Sequence, residues 1–370
     1  MMAKVLASPA KYIQGTGELT RIKHHISQLG GPFLFIMGGF AFKNLKGIIE
    51  ESFKNSGATL VFEKFGGECS HTEIDRLRDI YVLHGCRVTV GIGGGKALDT
   101  AKGVAYYQGG PVITVPTIAS TDAPTSAISV IYTEEHVFEE NVLLPRNPEL
   151  VLVDTDVILQ APVRFLVSGM GDALSTYFEA RANVASDHEN FAGGKFTNTS
   201  VALAKLCYDI LIRDGLKAKR AAETKVYSPE LENIIEANIY LSGVGFESNG
   251  LACAHSIYNA FTVLPQCHHM FHGELVAFGA IVQLILEKRP DIEIAEAINF
   301  CINVGLPVSF AELSEGELTR DDIMKVAVAA CNPSSFMDSE PFTVTPGMTF
   351  DALIAGDALG RKYKKTEVFT

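Results

Sequence analysis

From Val88 to Lys102 the chain reads Val-Thr-Val-Gly-Ile-Gly-Gly-Gly-Lys-Ala-Leu-Asp-Thr-Ala-Lys, an apolar strand-like run that breaks into glycines and resumes with helical spacing. No other stretch constrains the fold as much. Without side chains, Gly93 to Gly95 let backbone approach an anion, and the first amides and dipole of the following helix favour negative charge. A ligand carrying a diphosphate is the expected occupant, at Gly94 and Gly95. The plain alternative is a tight strand-to-helix connection with no ligand.

Two nucleotide motifs fit this run only partly. A P-loop requires a glycine at position 90 and a hydroxyl residue at 97, where the chain has Val90 and Ala97. Counting the ordinary dinucleotide fingerprint from Gly91 puts Lys96 where the third glycine belongs.

A chain of 370 residues is longer than single cores usually grow, so two domains are expected. Hydrophobic residues at 47% and charged residues at 20% suit a compact soluble fold rather than disorder. A net charge of -12 argues against nucleic-acid or anionic-membrane partners, which need a concentrated basic face. Lys217 to Arg220 and Lys362 to Lys365 are short and read as solvated. Seven scattered cysteines without a Cys-x-x-Cys pair point to reduced thiols and a cytoplasmic setting. The N-terminus lacks a signal-peptide pattern, and the most apolar segments, 33–42 and 275–286, fall short of the roughly 20 residues a membrane span requires.

Strand-like runs at 33–37, 59–62, 87–90, 112–115 and 150–153 alternate with helical patterns at 44–56, 73–84 and 96–107, the signature of a parallel sheet covered on both faces. Residues 128–144 read as a hairpin. After Pro162 long windows carry helical periodicity instead: 172–184, 197–213, 228–246, 251–262, 274–287 and 292–304. The expected organisation is an α/β nucleotide-binding domain over 1–160 and an all-helical domain over 161–370, with the last ten residues frayed.

Within the helical half, four of ten histidines, His255, His268, His269 and His272, fall inside eighteen residues. Neutral imidazoles with one carboxylate suit zinc or ferrous iron and leave positions open for a substrate oxygen. Asp172, between glycines and the expected start of a helix, is the candidate carboxylate; an N-cap is its simpler role. Spacing leaves the ligands open, since His268 and His272, four apart, would share one helical face. A third cluster, Val115 to Ala127, follows a strand with Thr117, Ser120, Thr121 and Asp122, placed to bond cofactor phosphates, ribose or a polyol.

Taken together, Gly93 to Lys102, Ser120 to Ser126, Asn190 to Lys195, Gly245 to Leu251 and Cys267 to Glu274 resemble the glycerol dehydrogenases, a family of metal-dependent polyol and alcohol dehydrogenases related to dehydroquinate synthase. The resemblance covers nearly the whole chain, and several matches in one order are more specific than any glycine run. Lys96 matters within the resemblance, because the iron-type alcohol dehydrogenase branch usually carries Ser there.

The resemblance implies a dehydroquinate synthase-like fold and a metal held by Asp172, His255 and His272, deciding against His268. It also implies that Gly94, Gly95, Lys96 and Asp99 hold the cofactor diphosphate with Thr117 and Ser120, and that Asp122 lies by the substrate hydroxyls. The implied reaction is reversible oxidation of glycerol or a similar vicinal diol, with zinc expected and ferrous iron the alternative. His269, Asp122 or a water chain would take the proton. NAD is the expected cofactor; where many members have an acid for the adenosine ribose this chain has Gly39, so NADP stays open. A small-molecule diol and other copies of the chain, as a homo-oligomer, are the expected partners. A dehydroquinate synthase-like lyase would need several cations for a sugar phosphate, and none cluster near the histidines. A nucleotide-binding scaffold with structural histidines is the non-enzymatic alternative.

Overall fold

The computed structural model describes residues 2–367, side chains of the last two excepted. Two compact units divide the chain, Ala7–Pro162 and the remainder from Val163 onward, the latter joined by the residues before Ala7. The N-terminal segment belongs there because it pairs with a distant loop: the Val5 amide donates to the Lys195 carbonyl at 3.0 Å and the Lys195 amide to Ala3 at 2.8 Å.

The first unit holds strands β1 Tyr12–Gly15, β2 Phe33–Met37, β3 Leu60–Lys64, β4 Val88–Gly93, β5 Val112–Pro116, β6 Ile128–Tyr132, β7 Phe138–Leu143 and β8 Leu150–Asp154. Six form one parallel sheet in the order β1-β8-β5-β4-β2-β3, and β6 and β7 form a separate antiparallel hairpin. Burial on both faces explains the uninterrupted apolar runs. Phe33, Phe35 and Met37 pack with Leu19, Ile22, Ile26 and Ile49 on one face. Leu34 and Ile36 pack with Ile74, Leu77, Ala101 and Val104 on the other. Strand β1 escaped the sequence pattern because it is short and half-buried; it exists through its register with β8, Tyr12 opposite Val151. The helix expected over 44–56 is instead two, Gly39–Asn44 and Lys46–Ser52, separated at Leu45.

Topology places the glycines. From β2 the chain crosses to β3 on one side, returns to β4 on the other, and continues outward to β5, so its direction reverses between β2 and β4. Such switch points, at the carboxyl ends of parallel strands, are where open α/β sheets bind ligands. Here glycine ends β4 and directly follows β2: the Gly38 amide donates to the Ile92 carbonyl at 2.9 Å, and a Cβ on Gly38 would stand 3.6 Å from the Gly93 Cα. Helix α1, His71–Leu83, and helix α2, Gly95–Gln108, flank the sheet.

Lys102 of α2 is fully buried. Its ammonium pairs with Asp99 at 2.8 Å and donates to the carbonyls of Ala123, Ser126 and Ile128 at 2.7, 3.2 and 2.5 Å. One cation thereby holds the hydroxyl-rich loop after β5 to the helix that follows the glycine bend.

The second unit is helical: α3 Val163–Ser186, α4 Asn198–Glu223, α5 Pro229–Glu236, a π turn Ala237–Leu241, α6 Ser242–Asn249, α7 Cys253–Phe261, α8 His272–Leu286, α9 Asp291–Val304, α10 Arg320–Ala330 and α11 Pro346–Glu367. The last two were not legible as helices in the sequence. Helix α11 runs through Glu367, so the expected fraying does not start at 361; residues 368–370 lie outside the described part. The seven cysteines are all free. No helix among the described residues is long and apolar enough to cross a membrane.

Removing one partner of a buried charge pair costs about 3–5 kcal/mol. Lys102→Met should therefore lower unfolding stability by about 3 kcal/mol in a urea titration, and a loss under about 1 kcal/mol would show that the loop is held by something else.

Candidate functional site

Three residues distant in sequence meet in the helical unit. Asp172 lies in the middle of α3, not at a helix start, so it is no N-cap; His255 lies in α7 and His272 opens α8. Glycine permits the approach: a Cβ on Gly273 would fall 1.8 Å from the Ser168 carbonyl oxygen, and one on Gly171 2.2 Å from that of Gly273. Only bare backbone lets α3 and α8 touch beside Asp172 and His272.

The Asp172 Oδ1 stands 3.0 Å from His272 Nε2 and 3.5 Å from His255 Nε2. One donor atom from each of the three lies within 4.8 Å of the others. Donors about 2.1 Å from a tetrahedral ion stand about 3.4 Å apart, so this cluster has the span of a divalent-cation site. The Asp172 Oδ2 is buried with no hydrogen-bond partner among the described residues, as a ligand atom awaiting a cation would be.

Behind His255 lies a residue that sequence reading missed. The fully buried Glu179 accepts from His255 Nδ1 at 2.7 Å, leaving Nε2 to face Asp172. It also accepts from the Ser175 hydroxyl at 3.1 Å and the amides of Ala252 and His255 at 2.9 and 3.0 Å. Its one sequence signal was its place seven residues, two helical turns, after Asp172. A carboxylate on the far nitrogen of a ligand imidazole fixes its tautomer and orientation. Tyr258, one turn after His255, was missed too; its ring meets that of His272 edge-on at 4.1 Å.

The electrostatics favour a cation. Burial alone would raise the Asp172 carboxyl, but His272 and His255 outweigh it and hold it well below the ordinary range. Burial likewise opposes charge on His255, and the carboxylates of Glu179 and then Asp172 overcome it, pushing the imidazole up to about 10.

His268 and His272 do not share a helical face. His268 follows the short turn Pro265–Cys267, and its Nε2 donates to the Thr262 carbonyl at 2.8 Å. His269 is exposed, and its carbonyl accepts from Arg164 at 3.2 Å. Arg164 clamps this loop: its guanidinium bonds both oxygens of Glu274 at 2.6 and 2.8 Å and lies over the Phe271 ring.

In the sheet unit the structure brings the other candidates together. Gly94 caps α2 with extended backbone, and Gly95 and Lys96 supply its first amides. The loop after β5 packs over the bend: the buried Thr117 donates its amide to Gly93 at 2.9 Å, and Ile118, Thr121 and Ala123 lie against Gly94 and Gly95. Ser120 and Asp122 are half-buried in the same loop. Lys96 turns to Glu68 at 2.5 Å, and Glu68 also pairs with His136 of the hairpin turn. Asp99 is engaged by Lys102, which places its carboxylate behind the loop.

Residues 9–155 match the family described as iron-containing alcohol dehydrogenase. The chain belongs to that family, in its glycerol dehydrogenase branch, and is an alcohol/polyol dehydrogenase. It is 49% identical over 362 residues to a glycerol dehydrogenase of Citrobacter freundii, spanning 98% of this chain and 99% of that one. A probable glycerol dehydrogenase from Sinorhizobium meliloti superposes with TM-score 0.92 at 45% identity, over 97% of this chain and 99% of that. The glycerol dehydrogenase of Schizosaccharomyces pombe does so with TM-score 0.95 at 35% identity, covering all of this chain and 94% of that.

Glu179→Gln keeps the shape but removes the charge behind His255. It should weaken zinc affinity about 10- to 100-fold in a chelator competition. Unchanged affinity would reduce Glu179 to a helix cap.

Proposed function

We propose that this chain catalyses the reversible NAD-linked oxidation of glycerol, or a similar vicinal diol, to a hydroxyketone such as dihydroxyacetone, with a divalent cation at Asp172, His255 and His272. The observation that carries the reading is the convergence of those three side chains, with the other Asp172 oxygen buried beside them and without a hydrogen-bond partner among the described residues. The substrate is supported by relatives that bear the name glycerol dehydrogenase over nearly their whole length.

A divalent ion there, zinc in this reading with ferrous iron as the alternative, would supply Lewis acidity that brings a diol hydroxyl toward ionisation near neutral pH. The chain's own residues do the rest. Glu179 keeps His255 Nε2 turned to the site, and the Arg164 clamp fixes the loop that ends at His272. Asp122, His269 or a water chain takes the alcohol proton. The amides at Gly94, Gly95 and Lys96 bind the coenzyme diphosphate, with Thr117 and Ser120 alongside. Asp99 acts on this site through Lys102 and the loop it tethers. The unit Ala7–Pro162 thus serves as the dinucleotide-binding domain, and the unit from Val163 onward, with the residues before Ala7, as the metal- and substrate-binding domain. The reading also takes the enzyme to be a cytoplasmic homo-oligomer, on the family resemblance.

Zinc-loaded protein should reduce NAD with glycerol, lose the activity on chelation and regain it when zinc is restored. His272→Ala should lose the metal and at least about 100-fold in kcat/KM while still binding NADH; retention of both metal and rate would overturn the ligand set. A side chain at Gly94 would press on Ile118, whose Cδ1 lies 3.0 Å from the Cβ position, and crowd the diphosphate. Gly94→Val should weaken NADH binding about tenfold or more by calorimetry, and unaltered binding would refute the phosphate role of the bend.

A further inference from the structure

In a doubly wound sheet the adenosine half of a dinucleotide lies over the strand beside the glycine-rich one. An acid at that strand's carboxyl end binds the ribose hydroxyls, whereas a nearby cation accommodates a 2′-phosphate. Here the glycine-rich strand is β4, its neighbour away from β5 is β2, and β2 ends at Met37 before Gly38 and Gly39.

Gly39 is exposed, and a Cβ built on it meets a single atom within 4 Å, the Lys64 Cε at 3.9 Å. Lys64 is the last residue of β3, in register with Met37. Its side chain is exposed and makes no ion pair among the described residues. The neighbouring Glu63 and the nearby Glu73 are engaged elsewhere, sharing Arg76 at 3.0 and 2.8 Å, and Arg76 also donates to the Lys64 carbonyl at 3.2 Å. The strand end therefore offers open space, no carboxylate at Gly39 to repel an anion, and one uncommitted ammonium.

We propose that this ribose site takes a 2′-phosphate on Lys64, so that the protein binds NADP(H) as well as NAD(H). The proposal rests on the dinucleotide reading of the bend after β4. A phosphate dianion beside an ammonium forms charge-assisted hydrogen bonds. The gain offsets the desolvation of an exposed lysine far more easily than that of a buried one.

Calorimetric titration of the zinc-loaded full chain with NADH and NADPH tests it. Wild-type protein should bind NADPH within tenfold of NADH. Lys64→Gln should raise the ratio of the NADPH to the NADH dissociation constant about tenfold, and Gly39→Asp, which restores a repelling carboxylate, should raise it further. A wild-type preference for NADH greater than tenfold, or a Lys64→Gln effect equal on both coenzymes, overturns the 2′-phosphate site while leaving the dinucleotide reading intact. If neither coenzyme binds, that parent reading fails and this one with it.

Discussion

The helical unit turns on one buried carboxylate. Helix α7 begins at Cys253 after Ala252, neither of which can cap it, yet its first amides lie in the interior. Glu179 takes two of them, at Ala252 and His255, while Glu340 takes Cys253 at 3.2 Å and Gln283 takes Ala254 at 3.1 Å. Acceptors borrowed from other helices thus satisfy a helix end that local sequence leaves bare, and negative charge at that end suits the dipole. Because the same Glu179 also bonds the His255 imidazole, the interaction that lets α7 start is the one that aims its histidine. One side chain thus serves both the helix end and the orientation of the imidazole.

The approach of α3 and α8 has the same character. Gly171 and Gly273 are each the neighbour of a site residue, and their backbones meet where any side chain would collide. Close contact brings the Asp172 carboxylate within 3.0 Å of His272, a separation that two long polar side chains on ordinarily spaced helices would have to reach across a gap. The cost is a buried negative charge, and the two imidazoles offset it. A cation bound there would take the place of a proton on His255, since ligand imidazoles bind metal in their neutral form.

In the sheet unit a different device does comparable work. The glycines at the ends of β2 and β4 thin the backbone at the switch point, and Lys102 secures the polar loop that closes over it. A lysine with no exposure is tolerated because three carbonyls and Asp99 replace its water. Rigidity in that loop is what a hydrogen-bonding wall for a coenzyme requires.

The parallel sheet was legible because strands buried on both faces must be apolar throughout, and Phe33 to Met37 or Val88 to Ile92 can be little else. The helical half was legible over most of its length but not over Arg320–Ala330 and Pro346–Glu367. The residues of the carboxylate and histidine cluster were individually visible, and resemblance chose among them; spacing left His268 with His272 open, because four residues share a face only in one continuous helix and α8 begins at His272. By itself, then, the sequence determined the class of fold, the glycine bend and the inventory of chemical groups, since these follow from local periodicity and residue type. Only tertiary structure decided that Glu179 stands behind His255, that Lys102 holds the loop, that Lys64 lies beside Gly39 and that α3 meets α8 at bare backbone. Those are contacts between residues from 21 to 105 positions apart in the chain, whose existence depends on how whole elements pack rather than on any window of sequence.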